Sequence, residues 1–180
     1  GFWPVTGLDS PTVGESVAVG TNNLDAAIRS TSGPIVVIGL SQGTLVLDAE
    51  QARLASDPNA PPADQITFIK AGDPGHLLAR IFKPGTHVPL IDYTVPAPVE
   101  SQYNTIDIVG EYDIFSDPPD RPWNLIADLN AIAAAGYYGH SSTGFSDPAS
   151  VARLDELRAG GMRSVSVPLA ASTAKTATEL

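Results

Sequence analysis

The sequence predicts an α/β domain built on a mostly parallel sheet flanked by helices. Three observations carry this expectation. Short, continuous, β-branched runs such as Ile35-Val36-Val37-Ile38 read as strands. Segments with helical spacing alternate with them, the order that parallel sheets require. The chain has 180 residues, enough for one domain with one sizeable core. Thr12-Val13-Gly14-Glu15 reads as a capping box, and Val13, Val17, Leu24 and Ile28 follow near helical spacing, so a first helix runs to about Ser30. Ser32-Gly33-Pro34 breaks it ahead of the strand at 35–38, which should be buried on both faces. A helix is expected from about Gln42 to Ala55, a strand over 65–71, a turn at Gly72-Asp73-Pro74-Gly75 and a short helix over 76–82. The Pro-rich stretch 83–100 reads as a long surface excursion, with Val88, Pro89, Leu90, Ile91, Tyr93 and Val95 as an apolar lid or acyl-chain wall, or an ordinary surface loop. Tyr103 to Val109 alternates Ile106 and Ile108 with polar neighbours and reads as a third strand. Helices are expected over 121–135 and 147–159, and a last strand over 164–169. Residues 1–169 thus form the domain and 170–180 a flexible tail.

Composition excludes several function classes. Hydrophobic residues make up 43% and charged residues 17%, a globular balance. Asp plus Glu outnumber Lys plus Arg 20 to 10, for a net charge of −10. That argues against a nucleic-acid partner and against docking onto anionic lipid by charge alone. Cysteine is absent, so there is no disulfide framework, thiolate metal site or Cys nucleophile. No H-E-x-x-H, EF-hand spacing, G-x-G-x-x-G after a strand or Walker lysine occurs, so neither metal nor cofactor is expected. No apolar run approaches the roughly 18 residues of a membrane span. Gly1-Phe2-Trp3-Pro4 has no initiator Met and no basic or apolar leader, so the chain reads as a processed or trimmed piece of something longer.

The chemistry is carried by Gly39-Leu40-Ser41-Gln42-Gly43, a full G-x-S-x-G between a predicted strand and a predicted helix. In that context the serine sits on a strained strand-to-helix turn and projects its Oγ above the sheet. Gly39 and Gly43 are both expected to lack Cβ because strand and helix nearly touch. The helix N-terminus supplies a partial positive charge, and the Gln42 N–H is the first oxyanion donor. The alternative is a plain Gly-rich turn.

A serine nucleophile needs a base, and His76, His87 and His140 are the candidates. α/β-Hydrolases run Ser, then Asp or Glu, then His along the chain, and only His140 leaves room for an acid at the end of a preceding strand. Asp113, just beyond the third strand, is the expected acid; Asp117 is its rival, and Asp107 sits mid-strand. A solvated turn residue at 140 and a simple turn former at 113 are the alternatives. Asp73 with His76 is a competing pair inside what is first of all a turn sequence.

These residues resemble the PE-PPE domain of mycobacterial proteins, a cutinase-like serine α/β-hydrolase. The likeness rests on Gly1-Phe2-Trp3-Pro4 with Leu24-Asp25-Ala26-Ala27-Ile28, on the elbow, on Gly72-Asp73-Pro74 where the family has Gly-Asn-Pro, and on Tyr112-Asp113, Asp117-Pro118 and Trp123 through Ala131 followed by His140. The resemblance implies an α/β-hydrolase fold and a Ser41, Asp113, His140 triad cleaving fatty-acyl esters, in a secreted or cell-envelope protein in peripheral contact with envelope lipid. An acyltransferase acting on trehalose-type glycolipids is the alternative, and a non-catalytic interaction module on the same scaffold a third. It also implies strands upstream of Phe2, with a Gly-Thr-rich loop helping to form the oxyanion hole, so only the Gln42 donor can be named here.

Overall fold

A computed structural model describes residue 7, residues 9–110 and 113–118, and the backbone strand at 164–169. Helix α1 (Val13–Ser30) opens with the expected box: Thr12 Oγ1 accepts from Glu15 N–H at 3.1 Å, and Glu15 Oε2 accepts from Thr12 N–H at 2.8 Å. Its buried stripe is Val13, Val17, Thr21 and Ile28. Strand β1 (Ile35–Leu40), helix α2 (Gln42–Ala55), strand β2 (Ile66–Ala71) and the short helix α3 (Gly75–Ile81) follow. Strands β3 (His87–Val88) and β4 (Tyr93–Thr94) form a small antiparallel pair. Strands β5 (Asn104–Gly110) and β6 (Ser164–Leu169) complete a four-stranded sheet of order β1-β2-β5-β6, parallel throughout. The helices expected over 121–135 and 147–159 and the tail from 170 lie outside the described residues.

α1 and α2 pack closely at Gly20, where a Cβ would stand 2.8 Å from Val46 Cγ2. Arg53 on α2 spans the same interface, donating to Thr21 O at 2.8 Å and Asn22 Oδ1 at 3.2 Å while forking onto Glu50 Oε2 at 3.0 and 2.6 Å. One core cluster joins Ile28, Leu47, Leu54, Ile66, Phe68 and Tyr103 between the helices and the sheet. A second joins Val13, Val17, Leu45 and Tyr93.

Three expectations need correction. β1 is not buried on both faces among the described residues: Val36, Ile38 and Leu40 are about half to two-thirds exposed, because β1 is the end strand of the described sheet and α2 covers the face of Ile35 and Val37. β5 does not alternate. Thr105, Ile106, Ile108 and Val109 are all buried, since the strand lies between β2 and β6 and is covered on both faces. The 83–100 stretch is not wholly a surface excursion. Tyr93 and Val95 are buried and Ile91 packs on the second cluster, whereas Leu90 is 65% exposed.

Candidate active site

β1 ends at Leu40 and α2 begins at Gln42, leaving one residue for the change of direction. That residue, Ser41, has φ 51° and ψ −122°, a conformation that non-Gly residues rarely adopt. The surrounding bonds hold it there. Ser41 N–H donates to Ala71 O at 2.8 Å, extending the β1–β2 ladder, and Ser41 O accepts from Thr44 N–H at 2.9 Å and Thr44 Oγ1 at 2.7 Å. Serine at a helix N-cap ordinarily folds its hydroxyl back onto the first turn; here it makes no such capping bond.

Gly39 is buried, and a Cβ there would stand 2.8 Å from Gly43 O, 2.9 Å from Gly43 C and 3.0 Å from Leu47 Cδ1. The near contact of strand and helix expected from the motif is therefore real. The expectation for Gly43 is corrected: a Cβ there would meet no described atom within 4 Å. The closeness is asymmetric because the side-chain direction at 39 points at α2, while that at 43 points away from β1.

Beneath the elbow lies a charged network. Asp73, in the turn after β2, accepts from Thr44 Oγ1 at 2.8 Å, Gly75 N–H at 2.8 Å and Lys70 Nζ at 2.6 Å. Lys70 also reaches Asp48 at 2.9 Å. Burial pushes the Asp48 carboxyl up to about 6 despite the Lys70 charge. The Asp73 carboxyl is held below its ordinary value: burial opposes this, and Lys70, Thr44 and the Gly75 N–H outweigh it. A cavity of about 440 Å³ opens above these charges, walled by Leu45, Leu78, Val95, Pro98 and Val99. Of the residues read as an apolar lid or wall, Tyr93 and Val95 line this cavity.

The segment after β5 carries the candidate acids. Asp113 is buried. Its Oδ1 accepts from Phe115 N–H at 3.1 Å, its Oδ2 from Ser116 Oγ at 2.8 Å, and its carbonyl from Ser116 and Asp117 N–H at 3.1 and 2.6 Å. Asp117, the rival acid, is exposed. His140 lies outside the described residues.

His76 is bonded to Asp107 and Ser116 rather than to Asp73, its partner in the competing pair. His76 Nε2 lies 3.0 Å from Asp107 Oδ2 instead, and Nδ1 lies 2.6 Å from Ser116 O. A carbonyl and a carboxylate only accept, so both ring nitrogens carry protons. The bond to Asp107 leads the causes that raise His76 to about 9, with burial opposing and the Ser116 carbonyl adding. An imidazole donating from both nitrogens has no lone pair with which to take a proton from Ser41 or to ligate a cation. Asp73, His76 and Asp107 do place three ligand-type atoms within 4.8 Å, but Lys70 and the imidazolium already balance the carboxylate charges, and Thr44 Oγ1 donates to Asp73. His87 sits on the β3–β4 hairpin, half exposed, 3.6 Å from Asp92 and 3.2 Å from Thr94 Oγ1. The His76–Asp107 bond escaped the sequence: an Asp at the middle of a strand carries no local signal of its partner.

Comparison with known proteins places the chain. The family model described as the PE-PPE domain matches residues 1–178. The chain belongs to the PE-PPE domain family. Among relatives from Mycobacterium tuberculosis (strain ATCC 25618 / H37Rv), it is 79% identical over 154 residues to "SL1278 acyltransferase Chp1", covering 86% of this chain and 38% of that protein. It is 48% identical over 165 residues to "Diacyltrehalose acyltransferase Chp2", covering 83% of this chain and 46% of that protein. It is 38% identical over 150 residues to "Esterase PE16", covering 78% of this chain and 28% of that protein. The chain thus spans less than half the length of these relatives. No solved structure matches it. The PE-PPE domain is a lipase-like α/β domain, in agreement with the mostly parallel sheet and flanking helices. Among the described residues no helix is long and apolar enough to cross a membrane.

Proposed function

We propose that this PE-PPE domain acts on acyl esters through an acyl-enzyme on Ser41, at the mycobacterial cell envelope. The observation that carries the proposal is the strained Ser41 backbone, φ 51° and ψ −122°, between a parallel strand and a helix, with a hydroxyl that does not cap that helix. A structural serine gains nothing from such angles, whereas a nucleophile needs them to stand above the sheet. Ser41 Oγ attacks the ester carbonyl. The Gln42 N–H, at the positive end of α2, donates to the developing oxyanion. His140 takes the Ser41 proton and passes it to the leaving alcohol, and Asp113 holds the imidazole in the required tautomer. Two facts support His140 as the base: His76 has both nitrogens committed, and His87 is engaged on the hairpin. Burial of Asp113 and exposure of Asp117 favour Asp113 as the acid.

The acceptor in the second half-reaction is a hydroxyl of a trehalose-type acyl glycolipid. Two relatives named as acyltransferases, one for diacyltrehalose, favour this acceptor. Hydrolysis to the free acid is the second reading, favoured by the relative named an esterase. The test is a fluorophosphonate probe followed by product analysis. Labelling of the wild-type protein that vanishes in Ser41→Ala is expected; a folded protein that never labels refutes the nucleophile. Ester exchange exceeding free-acid release in the presence of acylated trehalose is expected for a transferase, and the reverse ratio assigns the esterase.

A further inference from the structure

Helix α3 reaches the acid-bearing segment by two direct bonds. Leu77 N–H donates to Phe115 O at 3.2 Å, and His76 Nδ1 donates to Ser116 O at 2.6 Å. The residue so gripped, Ser116, is buried and donates its Oγ to Asp113 Oδ2 at 2.8 Å. From the other side, His76 Nε2 is anchored on Asp107 Oδ2 at 3.0 Å, in the middle of β5. A continuous run of hydrogen bonds therefore leads from the centre of β5 through His76 and Ser116 to the Asp113 carboxylate.

We propose that His76 is a positioning residue: donating from both ring nitrogens, it ties the 113–118 segment to β5 and α3 and thereby aims the Asp113 carboxylate. The proposal rests on the Ser41–His140–Asp113 triad proposed above. The physical need is plain. Asp113 follows the end of β5 on a turn rather than on the strand itself, so sheet pairing does not fix its orientation. A displacement of about 1 Å at an orienting group costs on the order of 10²-fold in rate. The bonds to Ser116 O and Ser116 Oγ lock the turn at both ends of one residue.

The grip has a pH limit set by its surroundings. Among the described residues, the charges facing His76 are Asp107 on β5 and Asp73 in the β2–α3 turn, the latter shared with Lys70 of β2 and, behind it, Asp48 of α2. The imidazolium is favoured by Asp107 and loses its second proton near pH 9. Below that pH both bonds are made; above it one is lost.

Steady-state ester hydrolysis from pH 6 to 10.5 tests this, with active sites counted by fluorophosphonate labelling of Ser41. In wild-type protein kcat is expected to fall on the alkaline side with a midpoint near 9. His76→Asn places an amide donor where Nδ1 stands but loses the bond to Asp107, so plateau kcat is expected to lie between those of wild type and His76→Ala while the alkaline fall at 9 disappears. His76→Ala is expected to lower kcat per labelled site about 10- to 100-fold with KM little changed. A His76→Ala protein that labels less but has wild-type kcat per labelled site, with the alkaline fall intact, overturns the proposal and leaves His76 a purely structural residue. Asp113→Asn separates the two levels. If that variant retains full kcat, the triad assignment fails and the proposal with it. If it loses activity while His76→Ala does not, only the positioning role is lost.

Discussion

Gly39→Ala and Gly43→Ala are expected to act in opposite directions, although one motif contains both. At Gly39 the added methyl would lie 2.8 Å from the Gly43 carbonyl oxygen and 2.9 Å from its carbon, whereas ordinary contact begins at 3.4 Å. Both atoms are backbone in the first turn of α2, so no side chain can swing aside. Restoring contact requires β1 and α2 to part by about 0.6 Å, and overpacking of this kind costs about 1–3 kcal/mol. For a chain of this size each kcal/mol moves Tm by about 2–4 °C, so a fall of roughly 2–12 °C is expected. The gap opens at Ser41, and a shift of half an ångström or more at the nucleophile is expected to slow labelling about tenfold. At Gly43 the methyl would meet no described atom, and replacing a helical Gly by Ala stabilises by about 0.5–1 kcal/mol. Its Tm should rise by roughly 1–4 °C. Calorimetry with fluorophosphonate labelling rates measures both. A Gly39→Ala protein with wild-type Tm and labelling rate would refute the close approach on which the elbow geometry depends.

Three further expectations concern the charges. Arg53→Met removes the fork from Glu50, whose side chain is fully buried, and should cost about 3 kcal/mol by urea titration at pH 7. Burial raises the Glu50 carboxyl, so the loss should shrink as pH falls and Glu50 takes up a proton; a pH-independent loss would contradict it. Lys70→Met strips the counter-charge from buried Asp73 and should cost about 3–5 kcal/mol, partly recovered in the Lys70→Met, Asp73→Asn double variant; strictly additive losses would show that the two do not interact. Asp48, raised to about 6 by burial, carries a penalty that is fully present above pH 6 and is relieved as pH falls through 6 towards its ordinary 3.8. Asp48→Asn should therefore compare better with wild type at pH 8 than at pH 5; a constant stability difference across that range would count against the raised value.

The four parallel strands were visible along the chain because each is a short apolar or β-branched run, and runs of that kind need neither partner nor register to be recognised. The capping box on α1 and the turn between β1 and α2 were equally local: Thr12 needs only Glu15, and Ser41 only its flanking glycines and the change of period. Exposure depends on neighbours in space and so is not written in local sequence. β1 has the composition of an interior strand but ends the row of described strands, and β5 has polar residues but lies between two neighbours.

Local sequence thus dictated which segments form strands and helices and which serine stands between them, since backbone preference and hydrophobic period act over a few residues. Which glycine of the elbow bears the close contact was settled only by packing β1 against α2. The union of His76 with Asp107 and Ser116, and of Thr44 with Asp73 and Lys70, was likewise settled only by folding. Hydrogen bonds and ion pairs are made between atoms a few ångströms apart, and the parallel sheet brings to that distance groups that chain order keeps tens of residues apart.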